Sequence, residues 1–281
     1  MHDGDADDAS DDASKVNQAT KEMLKKEVGV CNLSGLFGFA DNSDVDSGNG
    51  AFEQIFESRD FVICNEPMRI RQFSWHSANA NQIWPGTITL AEYLSQGRNH
   101  HLLSSGRVLE LGSATGALAI YLLKRSALEC DIVTSDIDDG GDVESNIRHN
   151  FAANGLPPRI HIPFTWGTSF EEARAGAERR LLLDNDSNNN DNYNNNNSNS
   201  GGGGFEISHI IASDILRYVS AFPALVQSLS TLFAPPYCAR SFVMSWERRI
   251  DVSLFFALMA DAGFVCSTEG RAAIYVFTRT S

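Results

Sequence analysis

The chain has no run of about eighteen apolar residues, so no membrane span is expected. It has no basic stripe either. The formal net charge is −14, and residues 1–50 supply half of it, with eleven acids against four bases. Such a balance offers little to a phosphate backbone, and nucleic acid is not expected as a partner. Cysteine is sparse and scattered, at Cys31, Cys64, Cys130, Cys238 and Cys266, with no C-x-x-C pair. These read as reduced thiols, mostly small buried hydrophobes, of a cytoplasmic protein that also fits the nucleus. Trp75-His76 and His100-His101 lack partner Cys or His at ligand spacing, so no metal is expected. Met1-His2-Asp3-Gly4-Asp5 has no apolar stretch behind it and does not read as a signal peptide.

What is present is 42% hydrophobic residues in a chain of 281, enough for one sizeable domain with appendages and expected to act as a monomer. Residues 1–50, rich in Asp, Ser, Asn and Gly, read as a disordered acidic region with a short helix at Thr20–Val28. Gly35-Leu36-Phe37-Gly38-Phe39 within it suits a docking motif or a piece of packing equally. Residues 51–106 read as an N-terminal extension. In it, two apolar runs flank Asn65-Glu66-Pro67 as a hairpin, and Pro85 starts a helix over Thr87–Leu94. Residues 107–281 form the main domain. Its tract 184–204, almost all Asn, Ser, Asp and Gly, cannot bury enough apolar area to order itself and reads as a loop insert.

From Arg107 the pattern is regular. Short apolar runs at Arg107–Gly112, Asp131–Asp136, Arg159–Trp166, His209–Asp214 and Ser241–Trp246 alternate with segments of helical spacing. Phe264–Thr268 and Ala273–Thr278 are joined by a linker too short for a parallel crossover and must pair antiparallel. The class is α/β: a Rossmann-like, doubly wound seven-strand sheet with a C-terminal antiparallel hairpin and a reversed edge strand.

In such sheets ligands bind beyond the carboxyl ends of the strands. The first strand–helix turn reads Glu110-Leu111-Gly112-Ser113-Ala114-Thr115-Gly116. A dinucleotide fingerprint needs glycine at 112, 114 and 117, and this chain has Ala114 and Ala117. Asp136, ending the second strand, suits ribose hydroxyls of either a dinucleotide or S-adenosylmethionine. Glu110 separates the two. An acid there repels a pyrophosphate and favours a cationic ligand with a sulfonium and an ammonium.

With Glu110, Gly112, Ala114 and Gly116 in order, the chain resembles the class I (seven-strand) S-adenosylmethionine-dependent methyltransferases. More narrowly it resembles the methyltransferase-like protein-lysine methyltransferases. Ile83-Trp84-Pro85, Ser135-Asp136, Thr165-Trp166-Gly167 and Ala212-Ser213-Asp214 carry that likeness. It implies that Trp84 borders the methionine end and that Gly112, Ser113 and Ala114 approach the methionine moiety. It further implies that Asp136 holds the ribose, Trp166 lies beside the adenine and Ser213 lines the pocket. Two departures stand out: Ala114 replaces the usual middle glycine, and Asp214-Ile215-Leu216-Arg217-Tyr218 has one residue more than the usual acid-x-x-Tyr. By the resemblance Asp214 orients an incoming amine and Tyr218 walls its channel. Asp214 also fits an N-cap for the helix that follows. A small-molecule N-methyltransferase and a non-catalytic cofactor-binding protein share these residues and stay open.

Overall fold

The computed structural model describes residues 55–125, 130–187, 205–247, 250–269 and 274–279. The expectations for residues 1–50, including Thr20–Val28 and Gly35–Phe39, lie outside them, as do residues 188–204 of the Asn-rich tract. No helix among the described residues is long and apolar enough to cross a membrane.

Strands β1 (Phe56–Ile63) and β2 (Glu66–Phe73) form a hairpin, with Phe56 opposite Phe73 and Ile63 opposite Glu66. Its turn is Cys64-Asn65, at φ of 49° and 67°. Two left-handed residues make the tight loop whose twist matches paired strands. The turn therefore sits one residue earlier than Asn65-Glu66-Pro67, and Pro67 falls near the start of β2, where a proline is tolerated.

There follow α1 (Pro85–Leu94), α2 (His101–Ser104), β3 (Arg107–Leu111), α3 (Ala117–Lys124), β4 (Asp131–Asp136), α4 (Asp142–Ala153), β5 (His161–Pro163) and α5 (Phe170–Ser187). The rest are β6 (His209–Ser213), α6 (Phe222–Phe233), β7 (Ser241–Ser245), α7 (Ser253–Asp261), β8 (Phe264–Glu269) and β9 (Ile274–Arg279). The seven-strand sheet has the order β5-β4-β3-β6-β7-β9-β8. All neighbours through β7 are parallel, and β9 runs antiparallel to both β7 and β8. The reversed strand is thus not at the edge, as the sequence suggests, but one place in. The third expected strand shrinks to three residues, and α5 continues through Ser187 into the tract read as loop from 184.

Strand alternation divides the core into two layers. Val108, Ile132, Ile211 and Val243 face a cluster with α1, α3, α4 and the hairpin, whereas Leu109, Val133, Ile210 and Phe242 face an aromatic-rich cluster with α5, α6 and α7. The order of strand addition reverses between β3 and β6: β4 and β5 build to one side, β6 and β7 to the other. That switch point sets the crevice at the strands' carboxyl ends.

The hairpin is held to the sheet domain by a ladder of asparagines on α4. Asn150 accepts the Arg71 N–H at 2.7 Å and donates to the Arg71 carbonyl at 2.9 Å. Asn154 does the same for Arg69, at 3.1 and 2.8 Å. Asn146 donates to the Arg71 carbonyl at 3.2 Å and accepts from the Arg71 side chain at 2.8 Å. One helix face, read every fourth residue, satisfies a strand edge as another strand would.

Candidate active site

The turn from β3 into α3 is fixed before any ligand arrives. The Ser113 N–H donates to the Ser135 carbonyl at 2.9 Å, and the Ser113 hydroxyl accepts the Ser135 N–H at 3.1 Å. The Ser135 hydroxyl donates to the Glu110 carbonyl at 2.8 Å. Gly112 and Gly116 have φ of 69° and 74°, and Ala114 has φ of 50°. A side chain at Gly112 would come within 2.7 Å of Ile215, so glycine is required there by space as well as by φ. Ala114 holds a left-handed conformation that an L-residue rarely adopts. Its N–H donates to Asp136 Oδ2 at 2.7 Å, and the Ile137 N–H reaches Oδ1 at 2.8 Å. Burial raises the Asp136 carboxyl above its usual range, against the lowering effect of those two amides.

Six of the sequence-derived residues line one pocket: Trp84, Glu110, Gly112, Ser113, Ala114 and Ser213. Gln82, Thr87, Thr115, Ala117 and Leu118 complete its wall. The sequence reading missed these five. Thr87 lay within sight, two residues after Trp84-Pro85, but its partner did not: its hydroxyl meets that of Ser213 at 3.0 Å. Gly116 and Asp136 lie just behind this wall. Trp166 packs against the aromatic-rich core layer and is not part of it.

Glu110 is 2% exposed, and its Oε2 has no hydrogen-bond partner. Burial pushes its carboxyl up to about 8; the Ser113 hydroxyl pulls it down, and the charge of Asp136 adds to the rise. A buried carboxylate oxygen without a donor, in a cradle of small residues, fits a ligand that brings a positive charge and no phosphate.

The entrance is built by long-range contacts. Asp214, at φ 53°, accepts the Gly86 N–H at 2.7 Å and the Glu247 N–H at 3.1 Å. It therefore caps α1, far away in sequence, rather than the helix that follows it. The Ser245 hydroxyl donates to the Gly86 carbonyl at 2.6 Å. A side chain at Gly86 would approach Asp214 to 2.8 Å, so α1 can seat here only with glycine. The Trp84 indole N–H donates to the Asn79 carbonyl at 2.9 Å, and the Asn79 amide donates to the Tyr218 hydroxyl at 2.5 Å. Asn79 thereby clasps two predicted site residues across the mouth.

Beside Asp136, His76 Nε2 donates to Asp139 Oδ2 at 3.1 Å while Nδ1 accepts the Ala78 N–H at 3.2 Å. Burial would raise the Asp139 carboxyl, but His76 and the Gly141 and Val143 amides outweigh it and hold it below its usual range. His76 pairs with a carboxylate, a role its neighbour Trp75 gave no hint of.

Among solved structures, a T. thermophilus 16S rRNA methyltransferase in complex with AdoMet and guanosine is similar at 12% identity, covering 80% of this chain and 51% of that one, with TM-score 0.49. This chain spans about half that protein's length. A ribosomal protein L11 methylase from Lactobacillus delbrueckii subsp. bulgaricus is similar at 16% identity, covering 62% and 70%, with TM-score 0.37. A human methyltransferase 10 domain containing protein is similar at 9% identity, covering 71% and 84%, with TM-score 0.39. A family model described as lysine methyltransferase matches residues 64–195. That match lies over the strands and turns that build the β3–α3 side of the pocket, and over this span the chain is similar to the lysine methyltransferase family.

Proposed function

We propose that the chain transfers a methyl group from S-adenosylmethionine to lysine side chains of a protein substrate. The observation that carries the acceptor is the lysine methyltransferase match over residues 64–195. The net charge of −14 supports it, since an acidic chain suits a cationic side chain better than a phosphate backbone. The dispersed cysteines, unpaired at Cys64, Cys130, Cys238 and Cys266, support a cytoplasmic or nuclear setting.

Bound, the cofactor supplies a methyl group on a cationic sulfur, open to in-line displacement. Glu110 would hold the positive methionine end, while Gly112, Ser113 and Ala114 allow close backbone approach and Gly116 lets α3 begin directly behind. Asp136 would turn its remaining lone pairs to the ribose hydroxyls, Trp166 would lie on the adenine side, and Trp84 and Ser213 would close the methionine end. Transfer then needs positioning more than acid–base machinery. An acceptor lysine must first lose a proton, and at its reference pKa only about one amine in 10³ is neutral at pH 7. Removal from water beside the pocket raises that fraction. Asp214, held by the Gly86 and Glu247 amides, would orient the amine, and the Tyr218 ring would wall the channel.

The test is incubation of the purified chain and its Asp136→Ala variant with methyl-labelled S-adenosylmethionine and cell extract. Label should enter discrete, protease-sensitive bands, lysine methylation should be found on digestion, and Asp136→Ala should abolish the signal. Label confined to nuclease-sensitive or small, protease-insensitive products would defeat the lysine reading.

A further inference from the structure

S-Adenosylmethionine ends in an amino acid, and its two charges there are opposite. Glu110, with its unpartnered Oε2, answers the positive charge. No cationic side chain in the pocket wall answers the negative one: the lining is Gln82, Trp84 and nine further residues, none of them Lys, Arg or His. A carboxylate removed from water without a cation or a good set of donors is costly.

One cation touches that wall from outside. The Arg217 guanidinium lies over the Trp84 ring, 5.7 Å from its centroid, and 5.9 Å from that of Tyr218. Both rings are fixed, Trp84 through its indole bond to Asn79 and Tyr218 through its hydroxyl bond to the same residue. Arg217 itself is exposed and makes no ion pair with any described residue. Ring faces hold a guanidinium by its plane and leave its edge of N–H donors available. That fork matches a carboxylate in two parallel hydrogen bonds.

We propose that Arg217, cradled by Trp84 and Tyr218, binds the methionine carboxylate of S-adenosylmethionine and so closes the open end of the pocket. The proposal rests on the reading of this pocket as the cofactor site. Arg217 lies in the stretch between Asp214 and Tyr218 that is one residue longer than the acid-x-x-Tyr pattern. Asn79 acts as a positioning residue, holding both rings in place.

The experiment is isothermal titration of the full chain, Arg217→Gln and Arg217→Lys with two ligands. One is S-adenosylmethionine; the other is 5′-methylthioadenosine, which keeps the nucleoside and sulfur but lacks the amino acid. Arg217→Gln is expected to weaken S-adenosylmethionine about tenfold, the size of one charge-assisted contact. It should leave 5′-methylthioadenosine unchanged, and Arg217→Lys should fall between. Melting temperatures of the three proteins should agree, since Arg217 is exposed. Equal weakening of both ligands would mean that Arg217 only props Trp84, and no weakening of either would mean that it serves something other than the cofactor; each overturns the proposal. Failure of the unaltered chain to bind either ligand would instead sink the cofactor-site reading, a separate result.

Discussion

Glu110 meets its burial without a hydrogen-bond donor on Oε2, and its carboxyl stays protonated until about pH 8. A cationic ligand prefers the ionised form, so affinity for S-adenosylmethionine should rise between pH 6.5 and 8.5. Glu110→Gln should weaken binding about tenfold to a hundredfold at pH 8, the worth of a charge-assisted contact, and should flatten that rise. Calorimetry across the pH range checks both. The place of Glu110 in the pocket wall was legible in the sequence because it depends on local order: an acid, then small residues in a turn. Its isolation was not, because burial comes from strands and helices far along the chain. Asp214 shows the same limit. Its sequence neighbours suggest a cap for the following helix, yet its Oδ2 accepts an amide from Gly86, a partner no local pattern announces.

At the scale of elements, the helix of most consequence is α4. Its helical spacing was evident in the sequence, whereas nothing there marked out Asn146, Asn150 and Asn154. They are the seam between hairpin and sheet. Asn150 also donates to the Thr115 carbonyl at 2.9 Å, so one amide joins β2 to the turn that lines the pocket. Asn150→Ala would leave the Arg71 N–H, the Arg71 carbonyl and the Thr115 carbonyl each short of a bond. A loss of about 2–4 kcal/mol is expected, since stranded buried polar groups cost about 1–3 kcal/mol each and some regain water. Chemical denaturation measures that loss. Hydrogen exchange should show the Arg69 and Arg71 amides opening well before those of β3. Asn150→Leu, similar in volume but without donor or acceptor, should not rescue either readout.

For the molecule as a whole, buried titratable groups set a stability window. His161 and His209 are driven by burial to about 3 and about 4, against 6.5 when unfolded. The unfolded chain binds those protons more readily, so stability is lost as pH falls below 6.5. Glu110 works in the opposite sense. At about 8 folded against 4.5 unfolded, it holds its proton more tightly in the fold, and stability is lost as pH rises through 4.5 to 8. Below pH 6.5 the two histidines outweigh the one glutamate; above it Glu110 acts alone among these three. Without ligand, the melting temperature should peak near pH 6.5, the unfolded histidine value, and decline towards 8. Glu110→Gln should remove the alkaline decline and leave the acid limb in place. The doubly wound class and the reversed terminal hairpin were legible because periodicity and linker length constrain them. The place of β9, inside β8 rather than at the edge, was not, because antiparallel pairing alone does not say which strand of the hairpin meets β7.

The proton on Glu110 also enters the thermodynamics of loading. Near neutral pH the empty pocket carries it, and a cation seated against that carboxyl displaces it. On the proposed reading of the site, taking up the cofactor is an act of acid release. The solution should acidify as the site fills, and the heat of binding should change from buffer to buffer in proportion to each buffer's own ionisation enthalpy.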